Sequence, residues 1–446
     1  MSNTQELSGW GRWPRRACHV ATPGDPGALD QALAEGSAIA RGLGRAYGDS
    51  ALNPECTVST ARLDRLISFD EAAGELVAEA GVSLALIIET SLPRGFFPAV
   101  TPGTKFVTLG GAIAADVHGK NHHVAGAFGD HVAWFDLTGP DGKTRRCSPQ
   151  ENPDLFHATI GGMGLTGVIT RAAVRLLPVE TGWIRQRTVV APDLDAAMST
   201  FEDNLDATYS VAWIDCLAGG TAQGRSLVYL GEHALAGDPD LPRGDPLQPP
   251  SRRKKKIPFD APSWALNRFS VKAFNHLYFR AGKRAPESQL IDWDTYFYPL
   301  DAVLEWNRIY GARGFAQYQC ALPLETSREG LSAQLDAIAG AGLGSFLAVL
   351  KRFGEGADQR PLSFPAEGYT LALDFPLSPA ALTLMDRLDE ITLAHGGRLY
   401  LAKDSRMTQC TFEESYGTDA SGFAKLRAAL PEGTRFQSLQ SRRLGL

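Results

Sequence analysis

No run of about 18 apolar residues occurs in this chain, so a membrane-spanning helix is not expected. No two cysteines form a CxxC pair. Cys18, Cys56, Cys147, Cys216, Cys320 and Cys410 are scattered along 446 residues. Such spacing excludes a disulfide framework and a structural zinc site; six reduced, mostly buried thiols are expected. Excess positive charge is also missing. The net charge is −6, which excludes nucleic acid as a general partner. Met1 to Arg16 has no apolar core, and Arg15-Arg16 adjoins no hydrophobic run. Neither a secretory nor a twin-arginine signal is read there, and the default location is cytoplasmic. The first Gly-rich loop lacks GxGxxG spacing, because its glycines are 42, 44 and 48. A nicotinamide-type dinucleotide fold is therefore disfavoured.

What is present suits a globular protein. The length exceeds one ordinary core and suggests two domains, or one domain with a large insertion. Forty-six glycines point to many tight turns or close backbone approaches. The pattern predicts a helix over 29–37 and a strand over 38–41. A strand over 75–80 precedes a helix over 83–91 capped by Ser83. Val132 to Thr138 and Thr144 to Cys147 read as a hairpin across Gly139-Pro140-Asp141-Gly142-Lys143. Beyond about 180 the character changes. Strands are expected near 187–190, 209–214 and 226–230. Residues 234–262 hold seven prolines and the run Arg252-Arg253-Lys254-Lys255-Lys256, which reads as a long mobile loop. Aromatics then follow densely from Trp264 to Tyr298. From Ala316 to Leu401 the order is βαββαβ-like, which implies an antiparallel sheet with helices on one face.

Three Gly-rich segments stand out: Arg41 to Ser50, Thr101 to Gly119, and Gly161 to Gly167. A pyrophosphate needs several backbone N–H groups turned to one point, and glycine permits that shape. Any one such loop reads as a turn. Three within about 130 residues, interleaved with short strands, suggest a dinucleotide site.

The strings GLGRAYGD, PGT…TLGGAIAADVHGKNHH, GDHV and GGMGLTGVIT resemble the FAD-binding domain of the vanillyl-alcohol oxidase superfamily. Gln317-Tyr318-Gln319, Leu350-Lys351 and Arg398 to Arg406 extend the resemblance to the family of decaprenylphosphoryl-ribose oxidases. It covers the chain from about residue 10 to Leu444. The fold class it implies is α+β: a PCMH-type two-part FAD-binding domain plus an antiparallel-sheet substrate domain. The expected division is 1–180 for FAD, 181–397 for substrate, and 398–446 returning to the FAD domain. Implied FAD contacts are Arg41, Gly42, Leu43, Gly44, Arg45, Tyr47, Gly48, Thr104, Gly110, Gly111, Ala112, Ala115, Asp116, His118, Gly119, Asn121, Gly164, Gly167, Ile169 and Tyr400. Many superfamily members tether the flavin through a His in the first loop. Arg45 stands at that position here, so noncovalent FAD is expected.

Alcohol dehydrogenation by a flavin needs a base for the hydroxyl proton and a positive field for the reduced cofactor. The resemblance makes Lys403 the first catalytic candidate, with His118 and Tyr400 beside it. Tyr47, Lys120, Gln317, Gln319, Lys351 and Lys403 are substrate candidates, because a phosphate calls for Lys and a pentose for amides. Four histidines lie between 118 and 131, but without acidic or thiol partners at ligand spacing no metal is expected. Mycobacterial-type members carry a Cys where this chain has Ala372.

The expected reaction is oxidation of a polyprenyl-phosphate-linked pentose at its 2-hydroxyl. An NAD(P)H-dependent short-chain reductase partner would complete the epimerisation. The basic run at 252–256 is either a solvated loop or a contact with anionic lipid, peripheral on the inner membrane. Oxidation of a soluble alditol, sugar or aldonolactone is the alternative enzyme. A non-catalytic flavin-binding subunit is the alternative from another class.

Overall fold

The computed structural model describes residues 3–34, 36–139, 141–262, 264–430 and 434–446. Glu35 of the expected first helix and Pro140 of the expected hairpin turn lie outside them. Two sheets form the N-terminal half. The first orders Asn3–Ser8, Arg15–Ala21, Thr57–Ser59 and Ile39–Arg41, with the last three strands parallel. The second is antiparallel: Leu66–Asp70, Glu75–Glu79, Val168–Pro178, Val132–Thr138 and Thr144–Cys147, with Phe96–Pro98 also pairing Val168–Pro178. The hairpin falls where the turn residues placed it, with Thr138 opposite Thr144. Ser83 caps the helix Leu84–Ser91, its Oγ accepting from Leu86 N at 3.2 Å. Such a cap satisfies a backbone donor and is worth about 1 kcal/mol.

The second half is built on an eight-stranded sheet. Its order is Ser288–Asp292, Trp183–Ala191, Ser226–His233, Tyr209–Ile214, Val349–Phe353, Gly368–Pro376, Phe315–Pro323, Arg398–Leu399. Every neighbouring pair is antiparallel. Side chains alternate between its faces. One face carries Ala212, Ile214, Val228, Leu230, Cys320, Leu350, Leu371 and Leu373 into the largest core. Helices Leu194–Glu202, Leu324–Ala341 and Pro379–Ala394 cover that face, through residues such as Phe201, Leu335 and Leu388. The opposite face presents Tyr209, Trp213, Gln317, Gln319, Lys351, Ala372 and Asp374, as the register requires. That face meets the Gly-rich loops.

The chain's end returns to its beginning. Ala38 bridges Phe436, and Leu439 N donates to Leu52 O at 2.9 Å. From helix Leu439–Leu444, Arg443 pairs with Asp49 at 2.8 Å and Asp404 at 2.9 Å, both carboxylates being buried. Five of the six thiols are buried or half-buried; Cys410 is exposed, and all six are free. No described helix is long and apolar enough to cross a membrane.

Candidate active site

The first loop follows the strand Ile39–Arg41. Gly44 has φ +65°, a left-handed turn open to glycine. Among the described residues, the N–H groups of Gly42, Leu43, Gly44, Arg45 and Ala46 donate to no protein acceptor. Five successive free donors in a half-buried loop make a cradle for an anion. Gly42 lets this loop approach the second one: a Cβ there would lie 2.2 Å from Thr108 Oγ1. Arg45 turns away from the cradle, donating to Leu43 O at 2.8 Å and lying 4.3 Å over the Trp10 ring. Arg41 donates to Ser8 O at 2.8 Å.

In the second loop the glycines serve packing rather than donation. Leu109 N and Gly110 N bond Val82 O and Ala80 O, and Gly111 N bonds Thr108 Oγ1. Pyrophosphate contacts through N–H at Gly110 and Gly111 therefore give way to the free donors of residues 42–46. Ala112 and Ile169 are core residues. Asp116 is a structural ion: its buried carboxylate accepts from Gly129 N at 2.8 Å and Ser363 Oγ at 2.7 Å, and pairs with Arg360 at 3.2 Å. Asn121 donates to Ala99 O at 2.7 Å, and its Oδ1 would lie 2.7 Å from a Cβ at Gly119. Thr104 Oγ1 accepts from Phe106 N at 3.2 Å. The side chains of Asp116 and Asn121 thus brace the loop. In the third loop, Gly161 N and Met163 N bond carbonyls of helix Leu109–Ala114. Gly164, at φ +78°, adopts the left-handed backbone that favours glycine, and a Cβ at Gly167 would lie 2.6 Å from Thr138 O.

The substrate side is assembled across the two halves. His118 Nε2 accepts from Gln319 Nε2 at 3.0 Å, and the same amide donates to Thr370 Oγ1 at 3.2 Å. With the amide so oriented, the imidazole proton of the neutral form sits on Nδ1, which has no partner among the described residues. Phe353, Phe364 and Tyr400 surround the ring at centroid distances of 4.9, 5.5 and 5.1 Å. Burial holds the His118 pKa well below the usual imidazole value, and Lys351, His122 and Lys403 add to the effect. The imidazole is therefore held in its uncharged form. Tyr400 is placed differently from its catalytic expectation. Its hydroxyl is spent on Ala115 O at 2.8 Å, and burial raises its pKa well above 10.

Lys403 follows the edge strand Arg398–Leu399, in the turn that packs on the first loop. Tyr47 N bonds Ala402 O at 2.9 Å, and a Cβ on Gly48 would lie 2.0 Å from Asp404 O. The Lys403 ammonium lies 3.8 Å from the Tyr47 ring centroid. Burial lowers its pKa toward neutrality; Asp374 opposes the shift and Lys351 adds to it. Asp374 accepts from Gln317 Nε2 and from Tyr310 OH, the latter at 3.3 Å, and burial raises its pKa toward neutrality. Lys351 is lowered to about 8 by burial. Lys120 is lowered to about 7 by burial and then by Lys351. It donates to Tyr296 O and lies 3.9 Å over that residue's ring. Lysines whose charge is disfavoured by burial mark a candidate functional site.

The sequence comparisons agree with this geometry. Residues 23–148 match the model of an FAD binding domain. The whole chain aligns with decaprenylphosphoryl-beta-D-ribose oxidase of Mycolicibacterium smegmatis, at 38% identity and 98% coverage of that enzyme. The chain belongs to that oxidase family. It is an FAD-dependent oxidoreductase. A Streptomyces coelicolor protein known only as an uncharacterized protein in the mprA 5' region is 36% identical, over 82% of this chain and 100% of its own length. A putative D-arabinono-1,4-lactone oxidase of Neurospora crassa is 28% identical over 31% of this chain and 24% of its own. The free donors of residues 42–46 fit the pyrophosphate of FAD. His118 Nδ1 and Gln317 Oε1, buried and without partners among the described residues, supply one donor and one acceptor beyond it.

Asp374 and Tyr310 were missed from the sequence. Asp374 faces the pocket because it lies opposite Gln317 in strand register, and register is invisible in one sequence. Ala372 lies opposite Gln319 on the same face.

Proposed function

We propose that this oxidoreductase oxidises a polyprenyl-phosphate-linked ribose at its 2-hydroxyl, giving a keto sugar. The observation that carries this reading is the full-length relationship to an oxidase of that name, joined to a pocket lined by lysines and amides. FAD, when bound, supplies the hydride acceptor. We propose that it is held without a covalent bond, because Arg45 occupies the tether position and is engaged with Trp10 and Leu43. Lys403, as the neutral amine, takes the hydroxyl proton. The ammonium so formed is favoured by the Asp374 carboxylate. Gln317 is held by Asp374, and Gln319 by Thr370, so each amide keeps a fixed orientation toward the sugar. Lys351 and Lys120 supply positive charge for the phosphate. The neutral His118 offers its Nδ1–H to a sugar or flavin oxygen.

A keto product needs reduction on the opposite face to complete an epimerisation. Because the chain lacks a nicotinamide fingerprint, a separate NAD(P)H-dependent short-chain reductase is the proposed partner. Soluble lactone oxidation has less support, since the match to the lactone oxidase spans only about a third of this chain. Deuterium at C2 of a prenyl-phosphoryl ribose tests the reading. Flavin reduction should then slow by a primary isotope effect. Equal rates for the two isotopologues, or an effect confined to deuterium at another carbon, would remove C2 as the reacting centre.

A further inference from the structure

Helix Arg268–Gly282 buries Val271, Asn275 and Phe279 against the sheet. Beside and beyond this buried line the helix also exposes apolar side chains, with Arg280 directly opposite Val271. Phe269, Phe274, Leu277 and Tyr278 are 82%, 43%, 65% and 38% exposed, and Trp264 just before it is 75% exposed. Phe269, Ala273 and Leu277 form one line at i, i+4 and i+8; Phe274 and Tyr278 form the next. Burying large side chains is what sequences normally do, so a contiguous exposed set of this kind marks a contact surface.

The charge around it identifies the contact. Arg268, Lys272, Arg280, Lys283 and Arg284 are all exposed. Residues 251–291 contain ten Lys or Arg and two acidic residues, in a chain whose net charge is −6. The five exposed cationic side chains, with no acidic residue between 261 and 286 and with aromatic side chains interleaved, are complementary to an anionic lipid surface. The run at 252–256 contributes less than its composition suggests. Arg252 is spent inside, donating to Asp294 and to Tyr298 O, and Lys256 pairs with Glu305 at 2.9 Å.

This helix is also connected to the site. Tyr278 packs on Trp213 at 4.8 Å, and Trp213 pairs with Val349, two residues from Lys351 on the same sheet face. Phe274 contacts Phe346 at 5.6 Å, Phe346 stacks on Tyr310 at 5.8 Å, and Tyr310 OH reaches Asp374. A chain of packed aromatic side chains thus links the exposed helix to the polar cluster around Asp374.

We propose that helix Arg268–Gly282 docks on an anionic bilayer, with Trp264, Phe269 and Leu277 in the interface, and that the prenyl tail of the substrate passes along the Trp213–Tyr278 wall. The tail route rests on the substrate reading above; the docking itself does not. The test uses the full-length holoprotein with phosphatidylglycerol and phosphatidylcholine vesicles, and a short-chain soluble prenyl-phosphoryl ribose for flavin reduction. Wild type should co-sediment at least 10-fold more with phosphatidylglycerol, and high salt should weaken that binding. The double variants Phe269→Asp/Leu277→Asp and Lys272→Glu/Arg280→Glu should each lose binding 10-fold or more, while reducing flavin with the soluble substrate at the wild-type rate. Wild type that ignores both vesicles yet is reduced by the soluble substrate would overturn the docking and leave the substrate reading intact. Vesicle binding without flavin reduction would support the docking and overturn the substrate reading. A self-associated species dissolved by Phe269→Asp, with no vesicle binding, would assign the face to a second copy of the chain and overturn the proposal.

Discussion

Lys403 and Asp374 carry the proposed chemistry; Asp374 is buried, Lys403 half-buried, and each feels the other's charge. Loss of a positioned base costs about 10²–10⁴-fold in rate. Lys403→Ala should keep its bound flavin, read from the visible spectrum, and lose substrate-driven reduction by about that factor. Retention of the wild-type rate would remove Lys403 from the reaction. The pH dependence has a fixed sign. Burial lowers the Lys403 pKa, so the neutral amine grows as pH rises through neutrality, and the rate should climb with it. Asp374 favours the ammonium, so Asp374→Asn should lower the Lys403 pKa further and move the rising limb to lower pH. A limb that moves to higher pH would contradict the assignment. Ala372 offers a spatial check. In a Cys410→Ser background, Ala372→Cys should become labelled by a thiol reagent small enough to enter the pocket, and substrate should slow that labelling. Labelling indifferent to substrate would place this strand position outside the site.

Two elements hold the cofactor loop in place. Gly42 permits contact with Thr108, whose Oγ1 also caps the helix Leu109–Ala114. Gly42→Ala should separate the loops and reduce the ratio of flavin to protein absorbance in the purified protein; an unchanged ratio would mean the close approach is dispensable. The C-terminal helix acts from the other side. Arg443 neutralises Asp49 and Asp404, both buried, and Asp49 directly follows Gly48. Removing one partner of a buried pair leaves uncompensated charge, at a cost of about 3–5 kcal/mol. Arg443→Ala should therefore lower the unfolding midpoint and release flavin more readily than wild type. Most of these elements were legible in the sequence. Turn residues placed the 132–147 hairpin, Ser83 placed a helix start, and strand-like runs placed the strands near 209–214 and 316–321. Helix Arg268–Gly282 was not legible, because its apolar residues face outward as well as inward and blur the 3.6-residue period. The long helix Gln409–Ala429 was hidden for a related reason: Gly417, at φ +49°, breaks its geometry midway.

At the scale of the molecule, two halves meet across one sheet face. Tyr47, His118, Lys120 and Lys403 come from loops of the first and last segments, while Gln317, Gln319, Lys351 and Asp374 come from the eight-stranded sheet. Which residues share the pocket depends on that docking, and no local pattern encodes it. The resemblance brought Lys403, His118 and the glutamines together, but roles such as those of Tyr400 and Asp116 emerged only when their hydrogen bonds were seen. The central claim is that this pocket joins FAD to a lipid-linked ribose. Its most direct test is an anaerobic spectrum of the purified holoprotein before and after addition of a prenyl-phosphoryl ribose. The account predicts bleaching of the flavin band with that substrate and none with free alditols or aldonolactones. Bleaching by the soluble sugars alone would contradict it.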